Sequence, residues 1–152
     1  MEFIPLTKEY SDINYSWRVE SQSALYNPLQ KLSPDDQWKL NSKDGFDLSD
    51  ISTHSTFRHL ALVDGEPVGN VSMKNINLMM KTAEIGYLVG EKYYRKGYGR
   101  QMVSVFISQV FEKTDLRKLI AYIHIDNVAS QKLAEKLGFV REGVLREHYI
   151  IN

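Results

Sequence analysis

The stretch YYRKGYGRQM, Tyr93 to Met102, decides how this chain is read. Gly97 and Gly99 lie among three basic residues, Arg95, Lys96 and Arg100. Directly after them, apolar residues at Met102, Val103, Phe106, Ile107, Val110 and Phe111 follow helical spacing and predict an amphipathic helix over Arg100–Lys113. Directly before them, AEIGYLVG (Ala83–Gly90) reads as a strand. A strand, a glycine-rich basic loop and a helix start together make an anion site. The first N–H groups of a helix have no partner within it, and the helix dipole adds partial positive charge there. Glycine lets the backbone turn with φ > 0 and approach a ligand closely. The expected ligand group is a phosphate or pyrophosphate, approached by the backbone at Gly97 and Gly99 and by the charges of Arg95, Lys96 and Arg100.

Two familiar phosphate loops are excluded. The dinucleotide pattern G-x-G-x-x-G lacks its third glycine, since Gln101, Met102 and Val103 follow, and the pattern G-x-x-x-x-G-K-[ST] is absent as well.

Outward from the loop, the downstream half alternates strand and helix. Lys118–Ile123 is a near-continuous apolar run, as a buried parallel strand should be. Asn127 caps a second helix with Ala129, Leu133 and Leu137 on one face, and Gly138 ends it. Phe139–Ile151 reads as a final strand. Upstream, Thr56–Val63 and Glu66–Ile76 are strands about an Asp64-Gly65 hairpin pair. Residues 2–6 suggest a short first strand, and Glu9–Tyr26 has roughly helical spacing. SPDDQWKL, from Ser33, opens a helix with a Ser cap, Pro34 in the first turn and two acids behind it; Gly45 is its expected stop. Asp47–Ser55 is a polar loop. The expected fold is mixed α/β: an antiparallel meander, then strand–helix–strand–helix–strand, in a single domain over residues 1–152.

Composition narrows the function. An apolar fraction of 43% and a charged fraction of 25% over 152 residues suit one folded domain with a full core. Lys plus Arg equals Asp plus Glu at 19 each, which argues against a broad nucleic-acid footprint but leaves room for one small basic site. The absence of cysteine removes disulfides, a thiolate nucleophile and thiolate metal ligands. His54, His59, His124 and His148 show no ligand spacing and read as surface or satisfied residues, so no metal is expected. No apolar run reaches membrane-spanning length and the first residues lack a leader pattern, which makes a cytoplasmic address the default and a membrane partner unexpected.

The loop and its neighbours resemble the GNAT superfamily of N-acetyltransferases. YRKGYG (Tyr94–Gly99) fits the pyrophosphate loop [Q/R]-x-x-G-x-[G/A] except at its first position, where Tyr94 stands. AEIGYLVGEKYYRKGYG looks like that superfamily's fourth strand and loop. IHIDNVASQKLAEKLGFVREGVLRE, from Ile123, looks like its next signature, most similar to the branch of ribosomal-protein N-terminal acetyltransferases. The resemblance covers most of Glu66–Glu147. It implies a GNAT-like central sheet, mixed but mostly antiparallel, flanked by helices and splayed between two parallel strands, 83–90 and 118–123. It also implies acetyl-CoA as cosubstrate. The pantetheine arm would pair with the backbone of Tyr87, Leu88 and Val89, the pyrophosphate would sit on 95–100, and Asn127 and Ser130 would approach the arm and thioester.

The implied reaction is attack of a small-molecule or peptide amine on that thioester. Glu84 is the candidate base, as in many relatives, although an exposed strand-edge carboxylate is an equal reading. Ser130 is the candidate partner of the leaving sulfur, although at the third position of a helix it is often a solvated first-turn residue. A tyrosine acid common in this helix region has no counterpart, since Leu133 and Ala134 stand there. The competing reading is a CoA-binding sensor that has lost turnover. Tyr15, Trp17, Tyr26 and Trp38 could wall an acceptor pocket, with core packing the likelier role for each. Relatives usually carry one more strand after the one expected at 139–151; three readings stand open, that the sequence is truncated, that the strand is dispensable, or that a partner subunit supplies it in a homodimer.

Overall fold

The computed structural model describes residues 1–20 and 32–145. Among these residues five strands form one sheet in chain order: β1 (Glu2–Ile4), β2 (Phe57–Val63), β3 (Glu66–Asn77), β4 (Thr82–Val89) and β5 (Lys118–Ile120). The first three pairings are antiparallel and the last, β4 with β5, is parallel. The β2–β3 hairpin turns at Asp64 and Gly65, both with positive φ (51° and 78°), as a right-twisted two-residue turn requires. Among the described residues four α-helices flank the sheet: α1 (Ser11–Glu20), α2 (Pro34–Asn41), α3 (Tyr98–Lys113) and α4 (Val128–Lys136). Among the described residues no helix is long and apolar enough to cross a membrane.

The two faces of the sheet are distinct. Ala83 and Ile85 of β4 join Val71, Met73, Met102, Val103, Phe106 and Val110 in the larger core, with Tyr87 and Val89 packed against it. This is the face that α3 covers. On the other face Leu60, Leu62 and Trp17 form a smaller core with Leu88 packed against it. A polar chain also holds α1 and α2 there. Asn14 Oδ1 accepts from Asn70 Nδ2 (2.6 Å), Asn70 Oδ1 accepts from Arg58 Nη1 (2.7 Å), and Arg58 Nε donates to Asp44 Oδ2 (2.8 Å). Such a chain satisfies polar groups that the packing of α1 would otherwise strand.

Several expectations need correction. β5 is paired over three residues only, not over Lys118–Ile123. Phe139–Leu145 forms no strand; the remainder of the expected last strand, with His148, lies outside the described residues. The first helix occupies Ser11–Glu20, and Tyr26 also lies outside the described residues. Gly45 does not stop α2, which ends at Asn41 with Ser42 as its cap; Gly45 instead bridges Phe57, in contact too close for any Cβ. In α4 Ala129 is exposed and Ala134 is the buried residue. Trp17 and Trp38 pack in the smaller core.

His59 is neither surface nor satisfied. It is 3% exposed, among the rings of Phe3, Phe46 and Phe106. Its Nε2–H donates to the Phe46 carbonyl (2.8 Å), and its Nδ1 has no hydrogen-bond partner. Burial lowers its pKa below the ordinary value, and the positive charge of Lys113 adds to this. A base with a depressed folded pKa binds fewer protons folded than unfolded, so its neutral form stabilises the fold at high pH. That contribution is lost as pH falls below the unfolded pKa of about 6.5. Stability measured by urea denaturation is therefore expected to fall between about pH 7.5 and 5.5, and His59→Phe is expected to flatten that slope. A wild-type slope that the substitution leaves unchanged would assign the pH dependence to other groups.

Candidate functional site

The site is built where two parallel strands separate. Thr82, Ala83 and Glu84 of β4 pair with Lys118, Leu119 and Ile120 of β5, and there the pairing stops. β4 continues to Val89, with Tyr87, Leu88 and Val89 still paired to Val71, Asn70 and Gly69 of β3. On its other edge these residues have no strand beside them among the described residues. This is the splay that the resemblance implies.

The chain then passes through a 3-10 turn at Glu91–Tyr93 that the sequence did not announce. Tyr93 hydroxyl donates to Glu66, and Lys92 Nζ lies 3.2 Å from the same carboxylate. Those two contacts, Tyr93 first, hold the exposed Glu66 carboxyl below its ordinary pKa. Glu66 thereby neutralises Lys92, whereas Arg95, Lys96 and Arg100 make no ion pair with any described residue. Other surface cations such as Lys132 and Lys136 are likewise outside ion pairs, and the charge of Lys96 also reaches Glu66, so what distinguishes the three is their place beside the start of α3.

Backbone geometry at this loop is that of an open helix start. Arg95 and Gly97 are both left-handed (φ 62° and 78°), and Gly97 is the N-cap of α3, with no side-chain cap and no acid in the first turn. The first intrahelical bond into the loop is Gln101 N–H to Gly97 O at 3.1 Å. The N–H groups of Tyr98, Gly99 and Arg100 precede it, at the positive end of the dipole. At Gly99 an added Cβ would lie 3.1 Å from Val89 Cγ2 and 3.5 Å from Leu133 Cδ2, so glycine lets the start of α3 nestle between β4 and α4.

α4 begins on the far side of the splay. Asn127 Oδ1 accepts from Ser130 N–H at 3.2 Å, so it is the N-cap its sequence predicts. The Ser130 hydroxyl is not free, as a simple reading of its helix position suggests. It lies 2.7 Å from the Tyr87 hydroxyl, which is also 3.1 Å from the Ser130 carbonyl. A phenol from β4 thus spans to the first turn of α4. Burial raises its pKa above the ordinary value. The sequence placed Tyr87 here only for its backbone. Strand alternation, which sends Ala83, Ile85, Tyr87 and Val89 to one face, was the available signal for its side chain.

By the same alternation Glu84, Gly86 and Leu88 face the α1 side. Glu84 is therefore not beside Ser130; the strand separates them. Its side chain is 12% exposed, not a free strand-edge group, and it meets Asn75 Nδ2 (2.5 Å) and Lys74 Nζ (4.0 Å). Asn75 reaches it because β3 is bulged between Lys74 and Asn77, with Asn75 left-handed (φ 50°). Bulges commonly re-aim side chains beside functional sites, and no sequence signal announced this one. No cluster of three potential metal ligands occurs among the described residues.

The family model for the acetyltransferase (GNAT) domain matches residues 2–140. This chain belongs to the GNAT acetyltransferase family. The chain is 32% identical over 87 residues to a Bacillus subtilis protein named as the N-acetyltransferase YoaA, covering 57% of this chain and 49% of that one. It is 30% identical over 89 residues to the ribosomal-protein-serine acetyltransferase of Escherichia coli, covering 59% and 50%. The chain thus spans about half the length of the curated relatives it matches. Among solved structures, the spermidine N-acetyltransferase of Vibrio cholerae in complex with CoA and spermine superposes with a TM-score of 0.83 at 21% identity, covering 99% of this chain and 87% of that one. That likeness establishes the GNAT fold.

At Gly97 an added Cβ would touch nothing within 4 Å, so the cost of substitution there is conformational. Gly97→Ala is expected to lower stability by about 1–2 kcal/mol, the cost of a left-handed L-residue, and Gly97→Asn by less, because Asn tolerates that region better. Equal stability of all three proteins in denaturant titrations would mean that Gly97 is not left-handed.

Proposed function

We propose that this chain is an acetyl-CoA-dependent N-acetyltransferase that moves an acetyl group to a primary amine by direct attack. The observation that carries the reading is the parting of β4 from β5 beyond Glu84, with the uncapped, acid-free start of α3 at its end. Both parts suit the cosubstrate. An amide-rich arm needs a strand edge with unpaired N–H and C=O groups, and β4 offers one at Tyr87, Leu88 and Val89. A pyrophosphate needs unsatisfied N–H donors and cations, and Arg95, Lys96, Gly97, Tyr98, Gly99 and Arg100 offer both.

Acetyl-CoA, when bound, supplies an acyl group activated as a thioester. The protein's own residues would do the rest. A lysine-like amine has a pKa near 10.4 and must lose a proton to attack. Glu84 would accept it, directly or through one water, and Asn75 and Lys74 fix where its carboxylate points. Because Glu84 faces α1 while Ser130 sits against the opposite face, the amine would enter from the α1 side and the sulfur would depart toward α4. Asn127 fixes the start of α4, and Ser130 would hydrogen-bond the leaving sulfur. With no cysteine in the chain, the acetyl group passes without an acyl-cysteine stage. The relatives' names carry two acceptor types, a ribosomal protein and a polyamine, so both belong in the test.

The test is release of free CoA thiol from acetyl-CoA in the presence of peptide N-termini, polyamines, amino sugars and amino acids. Turnover with at least one of them is expected; tight acetyl-CoA binding without turnover on any would favour a CoA-binding sensor. Within an active protein, Glu84→Gln is expected to lower kcat by about 10²–10⁴-fold with acetyl-CoA affinity unchanged. A variant with the wild-type pH–rate profile would remove Glu84 from the mechanism. Gly97→Val is expected to weaken acetyl-CoA binding sharply in calorimetry, and an unchanged affinity in a folded variant would unseat the loop assignment.

A further inference from the structure

The hydroxyl pair across the splay has a property that neither residue has alone. Ser130 can donate a hydrogen bond into the splay only if its own proton is not spent on Tyr87. Two arrangements fit the distances. In one, Tyr87 O–H points at the Ser130 carbonyl (3.1 Å) and Ser130 O–H points at the Tyr87 oxygen (2.7 Å), which consumes the serine proton. In the other, Tyr87 O–H points at Ser130 Oγ (2.7 Å), and the serine proton is free for a third group. The shorter contact serves both arrangements, and passing from one to the other rotates both hydroxyls. Negative charge arriving near Ser130 favours the second, because each hydrogen bond in such a chain polarises the next. The phenol suits this role. Burial keeps it protonated above its ordinary pKa, so it remains a donor throughout the working range.

We propose that Tyr87 is a positioning residue for acetyl transfer: its hydroxyl sets the direction of the Ser130 proton, so that the two form a hydrogen-bond chain from β4 through α4 onto the departing thiolate. This rests on the acetyltransferase reading above. In the step itself the amine nitrogen bonds to the acetyl carbon, the C–S bond breaks, and its electron pair goes to sulfur. The amine's proton leaves through the base. The sulfur departs as a thiolate that accepts the Ser130 hydrogen bond and takes a proton from solvent after release. Tyr87 stays protonated throughout. The phenol from β4 thus supports the sulfur in a family member whose α4 carries Leu133 and Ala134 where a tyrosine is common.

The experiment has a binding arm and a kinetic arm. In the binding arm, calorimetry compares CoA with desulfo-CoA at pH 7 and pH 9. A free thiol has a pKa near 8.5 and populates its thiolate over that range. The wild type is expected to prefer CoA increasingly at pH 9, by about tenfold; Ser130→Ala is expected to lose that preference, and Tyr87→Phe to weaken it, because the serine hydroxyl is then no longer directed by a phenol donor. In the kinetic arm, Tyr87→Phe is expected to lower kcat by about tenfold in the native background and by nothing measurable in the Ser130→Ala background. A protein that binds neither CoA nor desulfo-CoA overturns the CoA reading as a whole. One that binds both alike at both pH values overturns the hydrogen-bond chain alone, with no variant needed. Equal kcat losses in the two backgrounds would make Tyr87 a packing residue only.

Discussion

Beyond Glu84 the backbone of β4 loses the neighbour that parallel pairing gave it, and the rest of the site is arranged about that loss. Backbone N–H and C=O groups are obligatory hydrogen-bonding groups, and a strand edge within a fold must be met by something. Here the edge lies between two helix starts. α3 begins at Gly97 with donors that nothing in the described chain caps, and α4 begins at Asn127 with Ser130 tied to Tyr87. The parted strands, the uncapped helix and the bridging hydroxyls are three local features, each of modest energy. Placed together they line one elongated region whose chemistry changes along its length, from a strand edge to a basic helix start to a polar pair, as the proposed cosubstrate would require.

The sheet carries this arrangement because its two faces do different work. Odd-numbered residues of β4 build the larger core against α3 and bring Tyr87 to α4, whereas even-numbered residues face α1 and bring Glu84 beside Asn75 and Lys74. In the proposed mechanism Glu84 and Ser130 would act from opposite sides of one strand, which suits a reaction in which one group arrives at a carbonyl as another leaves. The glycines allow the close packing this needs, Gly97 through its left-handed backbone and Gly99 through its missing Cβ against Val89 and Leu133.

Much of this was legible in the residues. The glycine loop, the helix after it, the Asn127 cap, the Asp64-Gly65 hairpin and the Ser33 helix start each rest on local stereochemistry, and local stereochemistry is written in neighbouring residues. What was not legible depends on tertiary partners. The apolar run Lys118–Ile123 does not say where pairing ends, since Ala121 to Ile123 are as apolar as the residues before them. The bulge at Asn75 left no mark in its strand, and the contact between Tyr87 and Ser130 joins residues 43 apart in sequence. His59 looked ordinary because nothing in its neighbours shows the three phenylalanine rings that the fold brings around it.

The central claim is that the unpaired edge of β4 is the surface that receives the cosubstrate's arm. Amide hydrogen exchange with and without acetyl-CoA tests it without mutation or turnover. Strands already paired on one side gain protection on the other only if a new acceptor arrives. Protection is expected to rise within Tyr87–Val89 and across Tyr98–Arg100, with β1 and β2 unchanged. Protection confined to other segments, with exchange at Tyr87–Val89 unaltered by saturating acetyl-CoA, would contradict the account.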